Sequence, residues 1–227
     1  MNIDNNILNL NKHLDQVDLM MFSTKKINSL TSEKILNDTL LKNNIDCSYL
    51  ASCMQTHSDI VTFINKPGIY KNTDGLVTYF DTGIILKIQT ADCVPIFMVD
   101  KSKKIIGLVH SGWKGTQKHI ILSALKIFLK HGSNMSDLKV FIGPSIKDCC
   151  YEIKEDVAKF FDNSFIISKD NKLFLDLISK IKYDLFNSGV KSIYESDICT
   201  YHNEEFCSYR REKGSASRMY SVIGKRE

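Results

Sequence analysis

This chain predicts an α+β fold, and three observations carry that expectation. Short apolar, β-branched runs crowd its centre, helical periodicity sets in near residue 116, and the two never settle into the regular strand–helix alternation of a doubly wound sheet. Three prolines in 227 residues, with no repeat, low-complexity tract or Pro/Gly/Ser linker, favour a single domain over 1–227.

The elements follow in order. Thr31 or Ser32 can cap a helix running to about Asn43, with Ile35, Leu36, Thr39 and Leu40 on one face. Residues 59–64 read as a strand and Pro67-Gly68 as a turn. Four strands are expected at 75–79, 83–89, 95–99 and 104–110, with Asp100-Lys-Ser-Lys as the hairpin between the last two. From about 116 to 130 Ile121, Leu122, Leu125, Phe128 and Leu129 recur at helical spacing, and Gly132 ends the run. A short strand at 140–142 stops at Gly143-Pro144. Helices are expected at 152–161 and 173–187, the second closed by Gly189, and strands return at 193–194, 206–209 and 219–223.

Composition narrows the function classes. A hydrophobic share of 43% and a charged share of 25% are ordinary for a soluble globular protein. Thirty Lys and Arg against 26 Asp and Glu leave only +4, with one basic cluster at Arg210, Arg211, Lys213 and Arg218. That balance argues against a nucleic-acid partner while allowing a local anion site. Lys87, Asp100 and Lys126 interrupt the most apolar runs, so no membrane span is expected. The N-terminus lacks the basic and apolar regions of a secretory signal. Seven cysteines, an odd count, fit reduced thiols in a cytoplasm better than a disulfide framework.

Three residues stand out as metal donors: His57 in Gln-Thr-His-Ser-Asp, Cys93 in Thr-Ala-Asp-Cys-Val-Pro and His110 in Val-His-Ser-Gly-Trp-Lys-Gly. Two imidazoles and a thiolate suit Zn²⁺, and three donors instead of four leave a coordination position open, as catalytic zinc requires. Alternatively, they are a buried cysteine and two satisfied histidines, or Cys93 is a thiolate nucleophile beside a histidine. Asp92 is either a turn residue or an acid that orients a ligand histidine. Gln55, taken to share a strand face with His57, is either a polar strand residue or a contact to a base edge. Lys114, Arg210, Arg211 and Arg218 suit a phosphate or ribose, or form a solvated basic surface. Trp113 is either core or a stacking face, between glycines 112 and 115 that permit close backbone approach. Cys149-Cys150 is read as packing. His13, His119 and His131 read as surface residues.

The motifs Thr90-Ala-Asp-Cys-Val-Pro, Val109-His-Ser-Gly-Trp-Lys-Gly, Ile142-Gly-Pro-Ser-Ile-Lys-Asp-Cys-Cys-Tyr-Glu and Ser208-Tyr-Arg-Arg closely resemble the YfiH family, long described as laccase-domain or multicopper polyphenol oxidase proteins. Gln55-Thr-His-Ser, Asp74-Gly-Leu-Val-Thr, Cys199-Thr200 and Ser217-Arg-Met match further family motifs in order, so the resemblance covers roughly residues 45–225. It implies mixed β-sheets packed as a sandwich with flanking helices, a fold shared with the cytotoxic necrotizing factor catalytic domain. It also implies a metal held by His57, Cys93 and His110. The implied activity is phosphorolysis of adenosine, inosine and methylthioadenosine to free base and pentose 1-phosphate, with adenosine deamination beside it.

Two positions depart from the family pattern. Lys114 stands where Arg is usual, and Ser23-Thr24-Lys25-Lys26 stands where a Thr-Thr-Arg motif is usual; both keep the charge but lose the planar fork. A copper centre has a blue-copper-like donor set in its favour, with Met54 or Met98 as axial ligand. Six histidines without a His-x-His pair cannot assemble the trinuclear cluster of a laccase. A cysteine hydrolase or peptidoglycan-precursor editing enzyme using Cys93 is the other alternative.

Overall fold

The computed structural model describes residues 3–4, 7–9, 19–23, 37–38, 40–41, 46–213 and 217–224. Sixteen strands form three sheets among these residues. They are β1 (Ile3–Asp4), β2 (Ile7–Asn9), β3 (Leu19–Ser23), β4 (Leu50–Met54), β5 (Val61–Phe63), β6 (Gly68–Lys71), β7 (Gly75–Tyr79) and β8 (Ile85–Thr90). There follow β9 (Val94–Asp100), β10 (Ile105–Ser111), β11 (Lys139–Ile142), β12 (Glu152–Ile153), β13 (Ile166–Lys169), β14 (Lys172–Leu175), β15 (Ser192–Glu195) and β16 (Met219–Gly224). The helices are α1 (Trp113–Gln117), α2 (Ile120–Lys130), α3 (Glu155–Ala158) and α4 (Leu177–Asn187).

One sheet runs β1-β2-β3-β16-β8-β4-β6, a second runs β15-β11-β9-β10-β7-β5, and a small third runs β12-β14-β13. The first two mix parallel and antiparallel pairs: β4 runs parallel to β6 and β8, whereas β10 runs antiparallel to β7 and β9. Alternation along the strands of the second sheet supplies two apolar faces. Phe97, Val99, Ile106 and Leu108 pack in one core with Leu86, Ile88 and Met219 of the first sheet. Ile96, Met98, Ile105 and Val109 pack in the other with Ile121, Leu125 and Phe128 of α2 and Ile181 and Leu185 of α4. The second sheet is thus the middle layer of a sheet–sheet–helix stack. Each such side chain, buried to a few per cent exposure or less, contributes about 1.5–3 kcal/mol.

The α+β sandwich is the observed architecture, and the central strands fall where the apolar, β-branched runs place them, within a residue or two at each end. Several local expectations need correction. The helix expected at 116–130 is two, because the chain breaks at Lys118 and His119, where His119 takes a φ of 62°. The region expected to be helical over 152–161 begins as β12, since its backbone is claimed by sheet pairing with β14 and only Glu155–Ala158 remains helical. Likewise 172–175 is strand, and α4 starts only after Asp176, whose carboxylate accepts from the Ser179 N–H at 2.9 Å. The expected turn at Pro67-Gly68 leads into β6, and 206–209 is a loop, not a strand, with residues 206–208 buried and Tyr209 exposed. His131 is half-buried, stacked on Phe63 with centroids 3.7 Å apart, whereas His119 is exposed. His13 lies outside the described residues, and the helix expected from Thr31 or Ser32 lies mostly outside them, although 37–38 and 40–41 are helical. No helix among the described residues is long and apolar enough to cross a membrane.

Gly107 in β10 lets sheet and helix approach closely, for a Cβ there would stand 2.9 Å from the ring of fully buried Phe128. Gly107→Ala should therefore destabilise the protein by about 1–3 kcal/mol, the usual cost of overpacking. Denaturant unfolding checks this, and an unchanged midpoint would show that α2 can retreat without loss.

Candidate metal centre and its pocket

At one end of the middle sheet the β7–β10 ladder continues past Gly75 and Val109, bringing Asp74 opposite His110. The His110 N–H donates to the Asp74 carbonyl at 2.7 Å, and His110 Nδ1 lies 2.8 Å from Asp74 Oδ1. Both side chains are buried, at 3% and 0% exposure. The same carboxylate gathers the loop that follows β4. It accepts from the backbone N–H groups of Thr56, His57 and Ser58 at 3.2, 3.0 and 2.7 Å, and from the Ser58 hydroxyl at 2.7 Å. That loop turns through His57 with a φ of 58°, and the His57 ring meets His110 edge-on at 4.9 Å between centroids.

Cys93 occupies the short turn between β8 and β9, with Sγ 3.9 Å from His57 Nε2. The donor atoms of His57, Cys93 and His110 all lie within 4.8 Å of one another. Gly112 passes behind them: a Cβ there would stand 2.8 Å from Cys93 Sγ and 3.1 Å from His57 Cδ2. With Nδ1 bonded to Asp74, His110 has Nε2 left for a ligand, the arrangement that fixes ring orientation and raises ligand basicity. Burial alone would push the Cys93 thiol up, but the neighbouring His110 charge and bonds to both histidines bring it down to about 6. Burial pulls His110 the other way, yet the Cys93 charge and the Asp74 bond hold it up at about 9. Burial also opposes the Asp74 charge, but its bonds to His110 and Ser58 keep the carboxyl well below the usual range. These donors fit a borderline divalent metal by type, proximity and support.

A cavity of about 900 Å³ opens over the trio, within the size range of small-molecule sites. Trp113, Tyr151 and Tyr209 give it aromatic walls, and Lys114, Arg210 and Arg218 reach it as cations. Trp113 is braced by stacking on Phe160, with centroids 6.0 Å apart. Arg210 donates to the Glu152 carbonyl at 2.6 Å and lies 5.3 Å from the Tyr151 ring centroid.

The remaining sequence candidates divide. Gln55 lies beyond the end of β4 and joins the pocket wall, but its amide is engaged on both sides with the Gln89 backbone, at 2.7 and 2.8 Å. It serves as a stand-in for a strand pairing. Asp92 also lines the pocket, accepting from Thr200 Oγ1 at 2.6 Å and from the Arg210 N–H at 2.9 Å. It positions Arg210; the acid that orients a histidine is Asp74. Arg211 is not brought to the pocket. Its guanidinium donates to the carbonyls of Thr200, Tyr201 and Phe206 and to Glu212, so it works as a strut. Met54 lies in the pocket wall and Met98 in the helix-side core. Of Ser23–Lys26, residues 24–26 lie outside the described residues. Asp74 and the wall residues Tyr151 and Tyr209 are what sequence reasoning missed. The motif around Asp74 was visible, but its role depends on a cross-strand register that no local pattern states.

Residues 32–226 match the family model described as multi-copper polyphenol oxidoreductase laccase. The chain belongs to this family. Within reach of this laccase-type family lies a purine nucleoside phosphorylase of Borreliella burgdorferi, 36% identical over 170 residues that make up 70% of this chain and 72% of that protein. An adenosine deaminase from an unknown prokaryotic organism is 31% identical over 127 residues, 52% of this chain and 48% of that one. Among solved structures, a Bacillus licheniformis protein described as hypothetical protein YfiH superposes with a TM-score of 0.90 at 25% identity, over 98% of this chain and 97% of that one. The laccase-type fold is therefore shared over nearly the whole chain.

Asp74→Asn keeps the shape of the side chain but removes the charge that holds His110 and the 56–58 loop together. Metal affinity should fall about 10–100-fold, as it does when a partner of a ligating histidine is lost. Competition against a chromophoric chelator measures it, and an unchanged affinity would mean that Asp74 only supports the fold.

Proposed function

We propose that this laccase-type family member is a metal-dependent purine nucleoside phosphorylase, with adenosine deamination as a second activity. The observation that carries the reading is one cavity in which a His₂Cys donor set, three aromatic walls and three cationic side chains converge. The names of the related phosphorylase and deaminase agree with it. Zinc is the metal this donor set suits best, and seven free cysteines fit a cytoplasmic protein working as one domain. When bound by His57, Cys93 and His110, zinc would supply a Lewis acid and an activated water at neutral pH.

In phosphorolysis a phosphate oxygen bonds to C1′ of the ribose while the C1′–N9 bond breaks, and the purine leaves with the bonding pair and a proton. Lys114, Arg210 and Arg218 hold the phosphate and offset its charge as it approaches the sugar. Asp92 sets the backbone at Arg210 for this task. Trp113, Tyr151 and Tyr209 offer faces to the base and exclude water from it. Asp74 keeps the His110 ring fixed throughout. Deamination uses the same base position: water adds at C6 and ammonia departs.

One observation favours a second reading. Cys93, His110 and Asp74 form a thiol–imidazole–carboxylate series with a lowered thiol, the pattern of a cysteine nucleophile. A cysteine hydrolase of this kind would keep its activity after metal is removed.

The test is base release by the purified chain from adenosine, inosine and methylthioadenosine, with and without phosphate. Free base should appear only with phosphate and should vanish after dialysis against a chelator. Base release that survives chelation would overturn the metal-dependent reading. Lys114→Ala should raise the KM for phosphate about 10-fold or more, the loss of one hydrogen bond to a charged group, while Lys114→Arg keeps activity. Identical phosphate curves for all three proteins would place the phosphate elsewhere. Dioxygen-dependent phenol oxidation should be absent, and rapid turnover with several bound coppers would overturn that expectation.

A further inference from the structure

A second group of soft donors lies outside the pocket, on two loops far apart in sequence. Cys149 and Cys150 sit in the turn after β11, where the N–H groups of Cys150 and Tyr151 both donate to the Lys147 carbonyl, at 3.0 and 2.9 Å. Cys199 and His202 sit in a turn closed by the Asn203 N–H donating to the Cys199 carbonyl at 3.0 Å. Backbone pairing holds the loops side by side: Ser145 bridges to Cys199, and the Thr200 N–H donates to the Ser145 carbonyl at 3.1 Å. The donor atoms of Cys149, Cys150, Cys199 and His202 all lie within 4.8 Å of one another. Cys150 Sγ is 3.2 Å from His202 Nε2 and 3.4 Å from Cys149 Sγ, and Cys149 Sγ is 3.9 Å from His202 Nδ1. Sulfur and nitrogen ligands on a tetrahedral zinc, at about 2.3 and 2.0 Å from the metal, stand about 3.5–3.8 Å apart, so the four donors are already gathered at nearly that spacing.

We propose that Cys149, Cys150, Cys199 and His202 bind a second thiophilic divalent ion, zinc by chemistry, in a closed four-donor site separate from His57, Cys93 and His110. Four protein donors leave no open position, which makes this a structural site where the first is catalytic in type. Binding forms three metal–sulfur bonds and one metal–nitrogen bond, and each thiol bound in its neutral form releases its proton to solvent. The ion ties together the two loops behind the pocket wall. One carries Ile146 and Tyr151 into that wall. The other carries Thr200, which bonds Asp92.

The experiment is elemental analysis of the full-length chain after zinc loading and gel filtration. Wild type should carry two ions, and Cys93→Ala, which disables the first site, should carry one. In the Cys93→Ala background, Cys149→Ser and His202→Ala should each remove that remaining ion; both are surface positions, so folding should survive, as circular dichroism would show. His202→Cys should restore it by returning a fourth donor. Cobalt loaded into Cys93→Ala should show the thiolate charge-transfer and tetrahedral bands of a sulfur-rich site. A Cys93→Ala protein that holds no ion, or one that keeps its ion in both Cys149→Ser and His202→Ala, overturns the proposal. A wild type with one ion, lost only in the Cys149 and His202 variants, would support this site and count against the first.

Discussion

The Asp74 carboxylate is the interaction on which the functional end of the molecule depends. It lies fully buried at the mouth of β7, bonds His110 across the ladder, and accepts three successive backbone N–H groups from the loop carrying His57. A buried charge with fewer partners would be costly; here the partners include both candidate histidines, His110 through its ring and His57 through its backbone. One anion therefore fixes the ring of one histidine and the backbone of the other. It gives His110 a reason to be charged when Cys93 is a thiolate, and a fixed orientation for a metal.

Around that anchor the pocket is built by similar economies of backbone. Gln55 replaces a missing strand pairing with its own amide, extending the β4–β8 pair of the first sheet toward the trio. Arg211 satisfies the carbonyls of Thr200, Tyr201 and Phe206 in the loop it closes, and Asp92 satisfies the Arg210 N–H beside it. These polar groups sit where regular structure ends, because buried backbone must find hydrogen bonds there by other means. Charged residues near the pocket thus divide into those that hold the walls and those, like Lys114, that face the space between them.

The family's name speaks of copper and phenols, while the donors here are two histidines and one cysteine beneath cationic and aromatic walls. A multicopper oxidase needs many imidazoles grouped together. This chain invests instead in aromatic faces and positive charge, the means of holding a flat base and an anion.

The α+β class and the positions of the central strands along the chain were legible in the sequence alone, and His57, Cys93 and His110 stood out there as candidate donors. The continuous apolar runs at 94–99 and 105–109 suit strands with both faces covered. Donors placed beside such runs are held rigidly. The sequence misjudged the regions around 152 and 173, where helical periodicity lost to pairing with a neighbouring strand. It also could not assign Asp74, Arg211 or the Cys149–Cys150 pair. Asp74 matters through a register set across β7 and β10. Arg211 is removed from the pocket by carbonyls that only the folded loop presents, and the two cysteines meet Cys199 and His202 only after the chain has returned through some fifty residues. Residue chemistry and local period are written in the chain; which distant groups share a buried space is decided only when the layers pack.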